Sequence, residues 1–130
     1  MLYTGNLKKI TNNEIEKYDE IWLIVRSLRY MPNNPKGNIK HVPELSPSFS
    51  LFIEYNNLRN QGKWNKQMFE EQYKPRFLAE MTNRIPKSML QELAQKSKSK
   101  DILIACFCDD ESMCHRSLVK QLVENINNKK

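Results

Sequence analysis

Three cysteines, Cys106, Cys108 and Cys114, fall within nine residues, and His115 and Arg116 follow directly. An odd number of clustered cysteines argues against a disulfide framework and for free thiols, a metal site or catalysis. As a thiol site, Cys114 at a helix N-terminus feels the positive end of the dipole, and the adjacent imidazole and guanidinium favour its thiolate. Cys114 is then the nucleophile or redox thiol, Cys108 its resolving partner and His115 the proton-transfer group. Asp109, Asp110 and Glu111 act against this, because nearby carboxylates oppose a further negative charge. The spacing differs from the cysteine-to-arginine loop of phosphatases, since seven residues separate Cys108 from Arg116 and one separates Cys114 from it.

As a metal site, Cys108, Cys114 and His115 would need an Asp or His41 as a fourth ligand. Adjacent Cys114 and His115 project about 100° apart on a helix, and the usual paired ligand spacing is absent, so no metal and no cofactor is expected. As an anion site, Arg116 and Ser117 with the helix N–H groups, joined by Arg26 and Arg29, hold a phosphate or carboxylate. His41, Ser46 and Ser48 are further candidates for that role. The structural alternative has Cys114 packing, His115 bonding locally and Arg116 pairing with Asp109 or Asp110. Cys106 reads as a small core residue.

The elements that position these residues are legible around them. Ile102 to Phe107 is an unbroken apolar run of strand length, as in a strand buried on both faces of a parallel sheet. Leu118, Val119, Leu122, Val123 and Ile126 form one stripe of a helix. The cluster therefore sits between a strand C-terminus and a helix N-terminus, where open α/β sheets bind ligands. Met1 to Thr4 is a first strand ended by Gly5 and Asn6, Thr11 to Tyr18 a short helix, and Ile21 to Val25 a second buried strand. That order predicts a right-handed crossover and a parallel sheet, with Arg26 on the same rim as Cys108.

Residues 27–47 carry Pro32, Pro35, Pro43 and Pro47 with polar side chains including Tyr30, Lys36 and Lys40. They read as a long lid or substrate loop. Ser46 or Ser48 caps the next helix, with Leu51, Phe52, Tyr55 and Leu58 on one face. Trp64, Met68, Phe69, Tyr73, Phe77, Leu78 and Met81 predict a core-facing helix kinked near Pro75. Pro86 suits the first turn of another, containing Met89, Leu90 and Leu93. The 130 residues make one α/β domain, with a small, mostly parallel sheet flanked by helices and a frayed tail at 128–130.

Three stretches resemble the family known as domain of unknown function 488: LYTGN near the start, PELSPSFSLFIEYNN with the later MFEEQYKPRFLAEM, and the terminal strand-loop-helix containing CHRS. The resemblance implies a compact α/β domain whose loop from Cys108 to Ser117 forms the site. It also implies that Pro43, Glu44, Ser46, Pro47 and Ser48 form a second motif near that loop.

A formal charge of +6 draws the chain towards phosphates or nucleic acid. Part of that excess lies in Lys96, Lys98, Lys100, Lys129 and Lys130, which fit a solvated surface. No signal peptide or membrane span is read, so a cytoplasmic protein is expected. The leading expectation is thiol-dependent chemistry on a nucleotide, nucleic acid or other phosphate-bearing ligand. The alternative is a non-catalytic nucleic-acid- or protein-binding module in which the cysteine loop is structural. Oligomeric state is not legible.

Overall fold

The computed structural model describes residues 1–28, 32 and 34–129. The described residues form an α/β domain around a four-stranded sheet of β1 (Leu2–Asn6), β2 (Glu20–Leu23), β3 (Ile39–His41) and β4 (Ile102–Cys106). The spatial order is β1-β4-β2-β3, and every neighbouring pair is parallel. All four strands therefore end on one rim. β4 occupies an interior position and is buried at every residue, as its continuous apolar run requires. The crossover from β1 through α1 (Asn12–Lys17) to β2 skips one place, which β4 fills.

Gly5 does not end the first strand; β1 continues through it to Asn6, and Gly5 lies opposite Ala105. A Cβ at Gly5 would stand 3.2 Å from Leu103 Cδ1, so the absent side chain lets β1 lie close to β4. The segment 27–47 is not loop throughout. It contains β3, in register with Ile21, Trp22 and Leu23, and a 3-10 turn at Pro43–Leu45. The Asn34 side chain holds both the N–H and the carbonyl of Ile39, and Gly37 turns the chain at φ 65°. Arg29 and Tyr30 lie outside the described residues.

Thr11 caps α1, and Ser48 caps α2 (Phe49–Asn60) by accepting from the Leu51 N–H. The predicted break near Pro75 takes the form of a π-turn, Phe69–Tyr73, between α3 (Lys66–Met68) and α4 (Lys74–Glu80). Proline supplies no N–H to the preceding turn, and the Lys74 N–H reaches back five residues to the Phe69 carbonyl. Phe69, Tyr73 and Phe77 remain stacked in the core despite the change of pitch. After α5 (Arg84–Ser97) and β4, the chain ends in α6 (His115–Asn128), which buries Leu118, Val119 and Val123. Among the described residues no helix is long and apolar enough to cross a membrane.

Candidate active site

β4 delivers Cys106 to the rim with its side chain in the core. The connection to α6 is short and internally tied: Asp110 accepts from both the Ser112 N–H and its hydroxyl, opening a 3-10 turn at Glu111–Met113. Cys114 follows that turn in extended conformation (φ −131°, ψ 148°) and is the N-cap of α6. The helical divergence expected between Cys114 and His115 therefore does not apply, since only His115 has entered the helix. The two side chains converge on Cys106 instead. One ligand atom from each of Cys106, Cys108, Cys114 and His115 lies within 4.8 Å of all the others.

Cys114 Sγ stands 3.0 Å from Cys106 Sγ and 3.6 Å from His115 Nδ1. His115 Nε2 is 2.6 Å from the Ile24 carbonyl, an acceptor only, so Nε2 carries the proton and Nδ1 of the neutral ring is left as an acceptor. The ring packs against Phe77. Arg116 is buried, and its NH1 donates to Cys106 Sγ at 3.3 Å and to the Cys108 carbonyl at 2.8 Å, while Nε donates to Glu111 at 3.2 Å. Its partner is Glu111, where Asp109 or Asp110 was expected. Asp109 bonds Asn6 and Lys8 across the rim. Ser117 Oγ donates to the Cys114 carbonyl at 2.7 Å, within the first turn of α6.

These bonds divide the thiols. Hydrogen bonds from the Cys108 and then the Cys114 thiol hold Cys106 far below the ordinary thiol range, overcoming burial. Donation to Cys106 pushes Cys108 up to about 12. Burial, followed by the bond to Cys106, raises Cys114 well above its ordinary value. Burial disfavours the Arg116 charge, but the Cys106 and Cys114 sulfurs and the Glu111 carboxylate together raise its pKa. These directions favour Cys106, beside the Arg116 guanidinium, as the first thiol of the cluster to ionise. Cys106, read from sequence as a core residue, is buried as expected and also electrostatically central; its position at the end of the apolar run was the available signal.

A cavity of about 490 Å³ opens over these thiols, within the range of small-molecule sites. Its walls include Cys106, Cys108, Cys114 and His115, the aromatic rings of Phe52, Tyr55 and Phe107, and the cations Lys8, Arg26 and Arg59, with no acidic residue among the described ones. Burial pushes the Tyr55 hydroxyl up to about 12, so it faces the cavity protonated. Lys8, Phe52, Tyr55 and Arg59 are site residues that sequence reasoning misses. Tyr55 lies within the PELSPSFSLFIEYNN stretch, which is the one signal pointing to that wall.

Other candidates are placed differently. Arg26 lines the cavity, but Nε donates to the Pro47 carbonyl and NH2 to the Pro43 carbonyl, which pins 43–47 to the end of β2. His41, Ser46, Ser48, Arg116 and Ser117 do not line it. His41 Nε2 bonds the Val25 carbonyl, Ser46 bonds the Pro43 carbonyl, and Ser48 engages Glu80 through both its N–H and its hydroxyl. Arg29 lies outside the described residues.

Residues 6–127 match the family DUF488-N3a, whose description is "Active DUF488-N3 subclade". No curated protein and no solved structure matches the chain.

Proposed function

The chain belongs to the DUF488-N3a family, and from that premise we propose that it is a thiol-dependent enzyme acting on a nucleotide in the cavity above Cys106, Cys108 and Cys114. The observation that carries this reading is the pairing of a protonated Cys114 with two proton acceptors, Cys106 Sγ at 3.0 Å and His115 Nδ1 at 3.6 Å, at the floor of a cationic, aromatic cavity. Phe52 and Phe107 suit a planar base, and Lys8 and Arg59 suit a phosphate. They take the anion-binding role expected of Arg116, whose Nε and NH1 are engaged by Glu111, Cys106 and Cys108 and which does not line the cavity.

In this reading Cys114 Sγ bonds to an electrophilic carbon of the ligand as its proton crosses to His115 Nδ1. The bond from that carbon to the leaving group breaks, its electron pair departs with the leaving group, and His115 returns the proton there. Water then attacks the same carbon with His115 Nδ1 taking its proton; the carbon–sulfur bond breaks and His115 reprotonates Cys114. Cys106 takes no bond to the ligand and needs no solvent access of its own; its charge stabilises the imidazolium formed on His115. Cys108 donates to Cys106 throughout and holds the charge in place until the ligand arrives.

Iodoacetamide labelling of metal-free protein, followed against pH and mapped to each cysteine, tests this. Cys114, with His115 Nδ1 beside it as a base, should label readily below the thiol reference of about 8.5. Adenosine monophosphate should slow it, and Lys8→Gln with Arg59→Gln should abolish that protection. Slow labelling of every cysteine through neutral pH would remove the thiol chemistry and leave a binding module. Labelling indifferent to adenosine monophosphate would remove the nucleotide.

A further inference from the structure

We infer that Cys106, Cys108, Cys114 and His115 form a closed four-ligand site for one zinc ion, and that zinc in this site shuts off the thiols. Zinc takes sulfur and imidazole donors tetrahedrally, and at about 2.3 Å per Zn–S bond the sulfurs of such a site stand roughly 3.8 Å apart. The four donor atoms here already lie within 4.8 Å of one another, with Cys106 and Cys114 at 3.0 Å, so filling the site needs sub-ångström to ångström adjustments and no movement of elements. The extended conformation of Cys114 makes the convergence achievable from a sequence that lacks paired ligand spacing.

The groups around the donors suit a metal as well as the donors do. His115 offers Nδ1 because Nε2–H is fixed on the Ile24 carbonyl, the carbonyl–histidine arrangement that orients metal-bound imidazoles. Arg116 already donates to the Cys106 sulfur and to the Cys108 carbonyl, and so braces two ligands at once. Three thiolates and one Zn²⁺ leave a single negative charge, which the buried Arg116 cation balances; without that cation the filled cluster would be an uncompensated buried anion. Cys106, Cys114 and His115 are all buried, so with four protein donors no coordination position remains for a water or a substrate. Binding is independent of the catalytic reading. Its consequence rests on that reading: a Cys114 sulfur bonded to zinc, with His115 Nδ1 also engaged, has neither a free thiolate nor a base.

The test is titration of the reduced, metal-stripped chain, shown first to carry three free thiols, with Co²⁺ and then Zn²⁺. One Co²⁺ per chain should bind with thiolate charge-transfer and tetrahedral d–d absorption, Zn²⁺ should displace it, and Zn²⁺ should slow iodoacetamide labelling of Cys114 at least tenfold. Cys106→Ser and His115→Gln should each weaken Co²⁺ binding at least tenfold, with the His115 variant keeping the full thiolate band if Cys106→Ser fails to fold. Absence of stoichiometric Co²⁺ binding by protein that circular dichroism shows to be folded overturns the site, as does binding unchanged in both variants. Fast metal-free labelling with no Co²⁺ bound would overturn the zinc site while sustaining the thiol enzyme. Stoichiometric Co²⁺ with slow metal-free labelling would sustain the zinc site and remove the enzyme.

Discussion

Arg116 is a cation surrounded by its own chain. A guanidinium within CHRS invites the reading of an anion binder, but burial gives it a different role. Its bonds to Cys106, Cys108 and Glu111 hold the charge of the thiol cluster and the course of the loop. An adjacent opposite charge shifts an acidic group by about 1–3 pKa units. Arg116→Gln should therefore raise the first thiol ionisation by at least one unit, read as thiolate ultraviolet absorbance against pH. It should also cost about 2 kcal/mol of stability in urea, since it leaves a buried carbonyl and sulfur short of a donor. Glu111→Gln, which removes only the half-exposed partner, should shift the same titration much less. A loss of stability with no change in thiol titration would make Arg116 a clamp alone. Nothing in the local sequence separates these roles, because the string CHR does not say whether the arginine turns out to the rim or back under the loop.

At the scale of elements, legibility follows burial. β4 and β2 are legible because both faces are covered and Ile102 to Cys106 and Ile21 to Leu23 are apolar without alternation. β3 is not, because a three-residue edge strand with Lys40 and His41 in it carries too little apolar surface to stand out from a proline-rich loop. The place of β4 between β1 and β2 is also hidden, since it depends on pairings between residues about 80 to 100 positions apart, such as Leu2 with Ile102 and Ile21 with Leu103. What fastens that edge is Glu20, a largely buried carboxylate joined to Lys40 beside it, Lys96 on α5 and Lys100 at the turn before β4. Burial alone would raise its pKa, but the Trp22 indole, Lys100, Lys96 and Lys40 together lower it to about 2. A carboxylate held below its ordinary value of 4.5 contributes stability that is fully present above pH 4.5 and is lost as the pH falls through about 2. Glu20→Gln should remove about 1 kcal/mol at neutral pH after allowance for solvent screening. It should also flatten the acid limb of the stability curve between those two pH values, as measured by urea unfolding at a series of pH values. An acid limb unchanged in the variant would place the acid sensitivity elsewhere.

For the whole molecule, the formal charge of +6 leaves two ways to meet a phosphate. A basic surface attracts nucleic acid diffusely, with affinity falling steeply as salt rises, whereas a cavity of about 490 Å³ admits one small ligand and reads its shape. Lys8 and Arg59 belong to the second: they share the cavity with Phe52, Tyr55 and the thiols, and Arg59 also lies over the Tyr55 ring at 5.4 Å. Lys98 and Lys100 sit on the exposed turn before β4, away from that lining. Neutralising Lys8 and Arg59 together should lower affinity for adenosine monophosphate at least fivefold while leaving the salt dependence of binding to a single-stranded oligonucleotide nearly unchanged. Neutralising Lys98 and Lys100 should do the reverse, reducing the oligonucleotide's salt slope by about 0.7 for each phosphate no longer neutralised and sparing the mononucleotide. If the cavity pair instead governs the oligonucleotide slope and adenosine monophosphate does not bind, the strand itself passes over the thiols and the substrate is a polymer.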